Sequence, residues 1–565
     1  MKTLPVPDPL PTLSQYSVDP AARRRALAEA RALYEYDYSY GGLCFTQDLP
    51  LDEAFSPAYI ARASEVLARI EANRWASRID EKAHAFGHAI VSLMGHRESS
   101  DLYAVWERMF SHLPRPLALT SWQSDWAFAW QRLTGPAPIV LRRIERLPPC
   151  LPVTDDDLTA ACPAARSLSR ALSRGRLFIA DYPLFEGVAT GVTEGRAKFL
   201  CAPVALFVAD PTVVGGLAPV AIQCGGARAG RESLYRPRDP DWGLARFMVQ
   251  VADENLQGVL AHMGYCHEVI QRFTLAMHRQ LSSAHPLYAL LEPHTEFTLA
   301  VNQVARRSVV NPGGVQDRLL APTIEAQMSL LVEGVRALDL GALDPTVDFA
   351  RRGVDDREAL PIYPFRDDGL PLWEATNELV RDYVALYYER DEQVAADVEL
   401  AAFVREIGAE DGGRLPRMLS TFDVTTRESL VALLSRVIYR ATTYHAAINN
   451  GNYDWASFAP NMATAAFAGL PPRGMDAEAY LRAMLPPPEL ALEAIAATWQ
   501  VHELALNRLG AYRPGHFLDP RVSPILERFS RALGAIEART RDANRTRPLP
   551  YELLLPSRIT ASINA

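Results

Sequence analysis

Residues 242–294, WGLARFMVQVADENLQGVLAHMGYCHEVIQRFTLAMHRQLSSAHPLYALLEPH, decide how the rest of the chain is read. From Trp242 to Leu281 apolar side chains recur at three- and four-residue spacing, the signature of a long helix. From position 262 onward the stretch holds His262, His267, His278, His285 and His294, five of the twelve histidines in the chain. A lone helical histidine is ordinarily a structural or surface residue, and clustering weakens that reading without removing it.

His262 and His267 are five residues apart. On an ideal α-helix that leaves them about 140° apart, so regular geometry does not aim both at one ion. A locally widened, π-type turn would, and such turns occur inside α-helices, often at functional sites. The spacing therefore carries two expectations: a local distortion if both histidines bind a metal, or two side chains facing opposite sides if they do not.

A second element, residues 444–461, reads YHAAINNGNYDWASFAPN. His445 and Asn449 are four residues apart, about 40° around a helix, and so share a face. Imidazole nitrogen with a weak amide oxygen suits a first-row transition metal of adjustable coordination better than a closed tetrahedral zinc site. The competing reading makes Asn449 a helix-end cap beside Asn450-Gly451.

Outward from these segments, helical periodicity dominates. Helices are expected over Pro20–Tyr34, Pro57–Ile79, Thr323–Leu338, Leu372–Tyr388, Val394–Ile407, Thr426–Asn449, Pro488–Leu509 and Pro520–Thr540. Start signals agree, with Asp397 ahead of Val398-Glu399-Leu400 and Thr425-Thr426 ahead of Glu428. Strand content is confined to short runs such as Leu177–Tyr182 and Phe199–Ile222, the latter read as two buried strands joined at Gly215-Gly216. The chain shows no internal repeat, low-complexity tract or Gly/Ser linker. Its 565 residues would allow several domains at roughly 150 each. The simplest expectation is nonetheless one large, mainly α domain with a small β subregion, whose long central helices carry the candidate ligands.

Composition excludes several classes. A net charge of −9, with 48% apolar and 22% charged residues, is that of an ordinary globular chain and offers no excess of basic residues for a nucleic-acid backbone. Lysine occurs only at positions 2, 82 and 198, so almost all the basic residues are arginine. The six cysteines lack CxxC spacing, which argues against a zinc ribbon or a disulfide framework. The opening MKTLPVPDPLPTLSQYS has no apolar core of the kind a signal peptide needs, and Phe199–Ile222 is too interrupted to cross a membrane. A cytoplasmic monomer is the expectation.

At this point the motifs carry a resemblance: the chain resembles the lipoxygenases. The histidine-rich helix is followed by HPLYALLEPH at His285–His294, similar to that family's HPLYxLLxPH, and YHAAINNGNYD is similar to its HAAxNxGQYD motif. The chain end PYELLLPSRITASINA, WQSDWAFAWQRLTGPAPIVLRRIERLP (Trp122–Pro148), LFIADYPLFEGV (Leu177–Val188) and YPFRDDGLPLW (Tyr363–Trp373) also match. So does DYVALYYERDEQVAADVELAAFVREI (Asp382–Ile407). The resemblance implies one catalytic domain over residues 1–565, with a lead segment over 1–20 and without the amino-terminal β-sandwich of plant and animal relatives. It implies a mononuclear non-haem iron, Fe(II)/Fe(III), held by His262, His267, His445, Asn449 and the main-chain carboxylate of Ala565, with manganese a less favoured occupant. His285 and His294 are expected to be structural.

The implied reaction removes hydrogen from the bis-allylic methylene of a polyunsaturated fatty acid bearing a cis,cis-1,4-pentadiene. Dioxygen then adds on the opposite face, and the peroxyl radical is reduced to a hydroperoxide. The substrate calls for a long apolar channel beside the metal, with Glu296–Gly314 as candidate wall. Ala305 matches the family position at which alanine accompanies S products, so S stereochemistry is expected. Three departures stand out. Gln257 replaces a frequent histidine, Asn452 a frequent glutamine, and Ala565 the usual terminal isoleucine, which leaves less apolar packing to hold the end of the chain. They motivate the alternative of a catalytically silent lipid-binding protein with the same fold. Partners are the fatty acid and dioxygen, not nucleic acid, and any peripheral membrane contact must come from exposed apolar surface.

Overall fold

The computed structural model describes residues 10–93, 103–225, 233–418 and 422–565. Residues 1–9 of the expected lead segment lie outside the described residues. Helices come first: α1 (Pro20–Leu33), α2 (Pro57–Leu93) and α3 (Asp125–Thr134). An antiparallel five-stranded sheet follows, in the order β1 (Leu141–Arg143), β2 (Leu177–Asp181), β3 (Val204–Ala209), β4 (Leu217–Gln223) and β5 (Leu234–Tyr235). It packs against α3 and encloses its own small apolar core around Ile179, Leu206 and Val220. The turn between β3 and β4 requires glycine at 215, where φ is +73° and a Cβ would stand 2.9 Å from the Trp130 ring.

The expected central helix runs through the middle of the molecule as α4 (Trp242–Leu256), a π-helical segment (Gln257–Glu268) and α5 (Val269–Gln280). Nearly every residue along it is buried, polar ones included. A helix wet on one side would show an apolar stripe; one apolar or satisfied on all sides is a core helix. Packed around it are α6 (Thr298–Ser308), α7 (Ile324–Ala337), α9 (Val398–Gly408) and a second π segment (Arg440–Tyr444), while α8 (Pro364–Tyr387) and α10 (Arg427–Tyr439) pack on each other and on that second π segment. Beyond these lie α11 (His445–Asn449), α12 (Asn452–Ala456), α13 (Pro488–Glu503) and α14 (Ser523–Ala543). Helix α7 crosses the first π segment so closely that a Cβ on Gly334 would fall 2.2 Å from Leu260 Cδ1. The mainly α fold with a small β subregion is as expected.

Several boundaries differ, each for a visible reason. Val394–Ile407 is broken, because Asp397 leaves the helical region and its carboxylate accepts from the N–H groups of Glu399 and Leu400, starting α9 afresh. Helix α8 begins at Pro364, eight residues before the expected Leu372, with proline in the first turn where no N–H is needed, and it continues through Pro371. Helix α2 runs on to Leu93. Helix α13 stops at Glu503, where Leu504 turns extended and the chain runs beside the carboxyl-terminal tail. Thr426 caps α10 as expected, but its reciprocal partner is Ser429 rather than Glu428.

Candidate metal centre

The five-residue histidine spacing finds its answer in the π segment. An i→i+5 turn takes more residues than an α turn, so residues five apart return close to one face. His262 Nε2 and His267 Nε2 stand 3.0 Å apart, with the rings nearly perpendicular. Two imidazoles each about 2.1 Å from a first-row ion and near a right angle to one another would place their nitrogens about 3 Å apart. A π segment also leads directly into α11, which presents His445 to the same point; one nitrogen from each of His262, His267 and His445 lies within 4.8 Å of the others.

These imidazoles are buried and neutral. Burial pushes His262 and His445 well below the usual histidine range and His267 down to about 4, although Asn302 and the Ala565 main chain pull His267 back upward. Neutral imidazole is the form that coordinates metal. Asn302 Oδ1 lies 2.7 Å from His267 Nδ1, and Asn302 Nδ2 donates to the His267 carbonyl at 3.3 Å. This pair assigns the proton to Nδ1 and leaves the Nε2 lone pair facing the centre.

His445 makes no hydrogen bond through either ring nitrogen, and Asn449 Oδ1 is likewise buried without a partner. Buried polar atoms are almost always satisfied, so an imidazole free at both nitrogens and an orphaned amide oxygen on the wall of one cavity mark a candidate position for a bound group. Asn449 is not a helix cap. Its amide donates to the Val501 carbonyl at 2.7 Å and to Asn450 Oδ1 at 3.2 Å, and the next residue keeps right-handed helical geometry. With both amide hydrogens engaged, the oxygen is left free, and Asn449 lines the same cavity as His445.

The chain end is not frayed. Ile559, Ser562 and Ile563 are fully buried. Tyr59 on α2 donates to the Asn564 carbonyl at 2.8 Å, and Asn564 Oδ1 accepts from the Leu506 N–H at 3.0 Å. Asn507 accepts from the Ala561 N–H through its carboxamide oxygen and donates to Ser562 Oγ. Ala565 packs with Tyr59, Phe297, Val301 and Leu504. His294 belongs to this clamp, through Nδ1 to the Ala561 carbonyl at 2.8 Å. His285 is structural as well: it caps the helix Pro286–Leu291 and meets Asp397 at 2.9 Å.

Gln257 and Asn452 meet each other. Asn452 Nδ2 donates to Gln257 Oε1 at 3.4 Å, and Gln257 Nε2 donates to the carbonyl of Ile448, the residue before Asn449. Ala305 is buried one turn beyond Asn302 on α6. The cavity that reaches the centre, about 280 Å³, is lined by Arg62, His445, Asn449, His502, Arg508 and Ala565. Leu504, Ala505 and Leu553 also line it, so its wall is polar and apolar in nearly equal measure. Sequence reasoning missed Asn302, Tyr59 and Asn507. Asn302 alone left a trace, as an amide on the buried face of an otherwise apolar stretch.

A mainly α fold whose central helices bring three buried histidines within reach of one ion is the architecture of a candidate metal centre, and the class it belongs to follows from its relatives. The lipoxygenase family model matches residues 115–507, and the chain belongs to that family. It is 36% identical to the linoleate 9/13-lipoxygenase of Pseudomonas aeruginosa over 81% of this chain and 69% of that protein. It is 33% identical to a polyunsaturated fatty acid lipoxygenase of Homo sapiens over 81% of this chain and 68% of that protein. Among solved structures, coral 8R-lipoxygenase superposes with a TM-score of 0.87 at 26% identity, covering 98% of this chain and 83% of that one. A lipoxygenase in complex with arachidonate gives the same TM-score at 25% identity and the same coverage. The protein is a lipoxygenase.

Proposed function

We propose that residues 1–565 form one catalytic domain that holds a single non-haem iron through His262, His267, His445, Asn449 and the main-chain carboxylate of Ala565. The observation that carries this reading is the convergence of three neutral imidazoles beside an unsatisfied Asn449 oxygen. Iron is the occupant we favour; manganese, which accepts the same nitrogen and oxygen donors and also cycles between its divalent and trivalent states, is the alternative. The substrate is a polyunsaturated fatty acid with a cis,cis-1,4-pentadiene, and the product a hydroperoxide of S configuration, with Ala305 leaving room for oxygen at one end of the diene. The names of relatives that act on linoleate, and of one bound to arachidonate, support this substrate class.

Bound iron supplies the one-electron couple and the base for removing hydrogen. The chain's own residues supply the rest. Asn302 keeps the His267 proton on Nδ1, so that ring faces the centre as a neutral donor. Val501 and Asn450 hold the Asn449 carboxamide with its oxygen inward. Tyr59, Asn507 and Asn564 hold the tail in register.

For contact with lipid, Ile60, Leu67, Trp75 and Ile79 along α2 offer exposed apolar surface. No helix among the described residues is long and apolar enough to cross a membrane. The six cysteines are free thiols, which fits a reducing compartment such as the cytoplasm.

Metal analysis together with conjugated-diene absorbance on adding linoleate tests the reading. Stoichiometric iron with a rising diene signal, and S product on chiral chromatography, are expected. Stoichiometric iron without any diene product overturns the enzymatic reading in favour of lipid binding alone.

A further inference from the structure

Two turns before His262, the central helix carries an acid with no cation. Glu254 is buried on α4. Every other buried carboxylate among the described residues has an arginine or histidine nitrogen within 3.0 Å; Glu254 has none. An ionised carboxylate stripped of water and left without a cation is strongly unfavourable, so the group keeps its proton instead. Burial pushes its pKa up to about 8, against the hydrogen bond from Asn452 and with a smaller upward push from Asp253. Asp253 is the one charged group acting on it, and it is itself held by Arg132 of α3 at 3.0 Å and by the Tyr182 hydroxyl at 2.6 Å.

The acid form also settles two unsatisfied atoms. Glu254 Oε2 and Asn452 Oδ1 are both buried without a partner, while the Asn452 carboxamide hydrogen-bonds Glu254. A carboxylic acid and a primary amide pair reciprocally: the acid O–H donates to the amide oxygen, and an amide N–H donates to the other carboxyl oxygen. The second amide hydrogen of Asn452 goes to Gln257, which in turn donates to the Ile448 carbonyl. One set of hydrogen bonds thus ties α4 and the π segment to the two residues that bracket Asn449.

We propose that Glu254, as a neutral carboxylic acid, is a positioning residue of the metal centre: through the Asn452 carboxamide it locks residues 448–452 against the π segment and so sets where Asn449 stands relative to His262 and His267. The proposal rests on the ligand assignment made above. When the proton is lost, a negative oxygen faces the Asn452 carbonyl and the lock opens.

The test uses iron-loaded full-length protein, with two readouts: the electron paramagnetic resonance line shape of the ferric form, and the rate of iron loss to a chelator, both followed from about two pH units below to two above the Glu254 pKa of about 8. The wild type should change line shape and lose iron roughly 10-fold faster across that range, the scale on which outer hydrogen bonds tune metal sites. In Glu254→Gln two amides pair without a titrating proton, so the line shape should be independent of pH and the loss slow throughout. Glu254→Met should lose iron at the fast rate at every pH. A Glu254→Gln protein that reproduces the wild-type transition overturns the proposal, as does a Glu254→Met protein with the wild-type spectrum and rate; if Glu254→Met does not fold, the glutamine variant decides alone. Wild-type protein that binds no iron would instead overturn the metal assignment itself, whereas stoichiometric iron with indistinguishable variants overturns only the role of Glu254.

Discussion

Asn302→Ala isolates the contribution of a residue that touches no metal. Its carboxamide meets His267 twice, through Oδ1 to the ring at 2.7 Å and through Nδ2 to the backbone carbonyl at 3.3 Å, and both residues are buried. Truncation leaves the His267 N–H without an acceptor in a site that water reaches poorly, a penalty of about 1–3 kcal/mol. It also frees the ring to rotate and to move its proton to Nε2, the nitrogen that faces His262. Loss of such a partner typically costs about 10–100-fold in metal affinity, or about 1.4–2.8 kcal/mol, which agrees with the hydrogen-bond figure. Competition with a calibrated chelator measures the affinity, and thermal unfolding of metal-free and metal-loaded protein separates fold from site. The expected pattern is a larger stability loss in the loaded protein than in the metal-free one. Asn302→Asp should move the other way, since a carboxylate at that position makes His267 a stronger donor. Equal affinities in wild type and Asn302→Ala would refute the claim that this contact orients the ligand.

Other consequences are open to direct measurement. Asn507→Ala removes the hold on Ala561 and Ser562 and should lower metal affinity several-fold while leaving the helical circular dichroism unchanged; appending one residue after Ala565 should abolish activity with the fold intact, and full activity in the extended protein would refute the carboxylate ligand. Gly334→Ala drives a methyl into Leu260 and should cost about 1–3 kcal/mol in unfolding, recovered in part by Leu260→Ala. Ala305→Gly should shift the S/R product ratio toward R on chiral chromatography. Burial alone would raise the Asp397 pKa, but His285 and Tyr388 hold it well below the usual carboxylate range. Its folded-state pKa being depressed, its stabilisation is complete above the unfolded value of about 3.9 and disappears as pH falls through the folded one. Asp397→Asn should therefore destabilise at neutral pH and flatten the acid limb of the stability curve.

The parts of this structure that were legible in the sequence are those governed by short-range geometry. Five-residue spacing between His262 and His267 is incompatible with a shared face on a regular helix, so the two residues left a choice between a widened turn and opposite faces, and the π segment decides it. Four-residue spacing placed His445 and Asn449 together in the same way, and the paired glycines marked the turn between β3 and β4. What stayed hidden depends on groups far apart in the chain. Asn302 meets His267 from another helix, Tyr59 reaches Asn564 from near the other end of the sequence, and Asn507 reads the tail from a loop. Apart from the position of Asn302 in an otherwise apolar stretch, no local pattern distinguishes these amides and hydroxyls from the many that simply solvate a surface. Glu254 belongs with them: the periodicity of the central helix predicts one apolar face, and neither its burial on every side nor the lack of an arginine facing that acid is visible before the molecule is packed.

The clamp on the chain end answers the difficulty raised by Ala565. A terminal alanine gives up three carbons of apolar burial relative to isoleucine, which at roughly 0.8 kcal/mol per buried CH2 is a loss of about 2–3 kcal/mol. Tyr59, Leu506, Asn507 and Asn564 return hydrogen bonds to the tail, each contributing about 0.5–1.5 kcal/mol net, and together they match or exceed that loss. The exchange is not neutral in kind. Apolar packing tolerates small displacements, whereas hydrogen bonds fix distance and direction, so residues 561–564 are held by orientation as well as by bulk, and a carboxylate ligand at Ala565, as proposed, would inherit that constraint. A tail anchored in this way should respond sharply to loss of any single polar partner and only weakly to a larger residue at position 565, provided the carboxylate keeps its place. Ala565→Ile and Asn564→Leu make that comparison. If the isoleucine variant gains metal affinity while the leucine variant loses none, packing rather than hydrogen bonding positions the chain end.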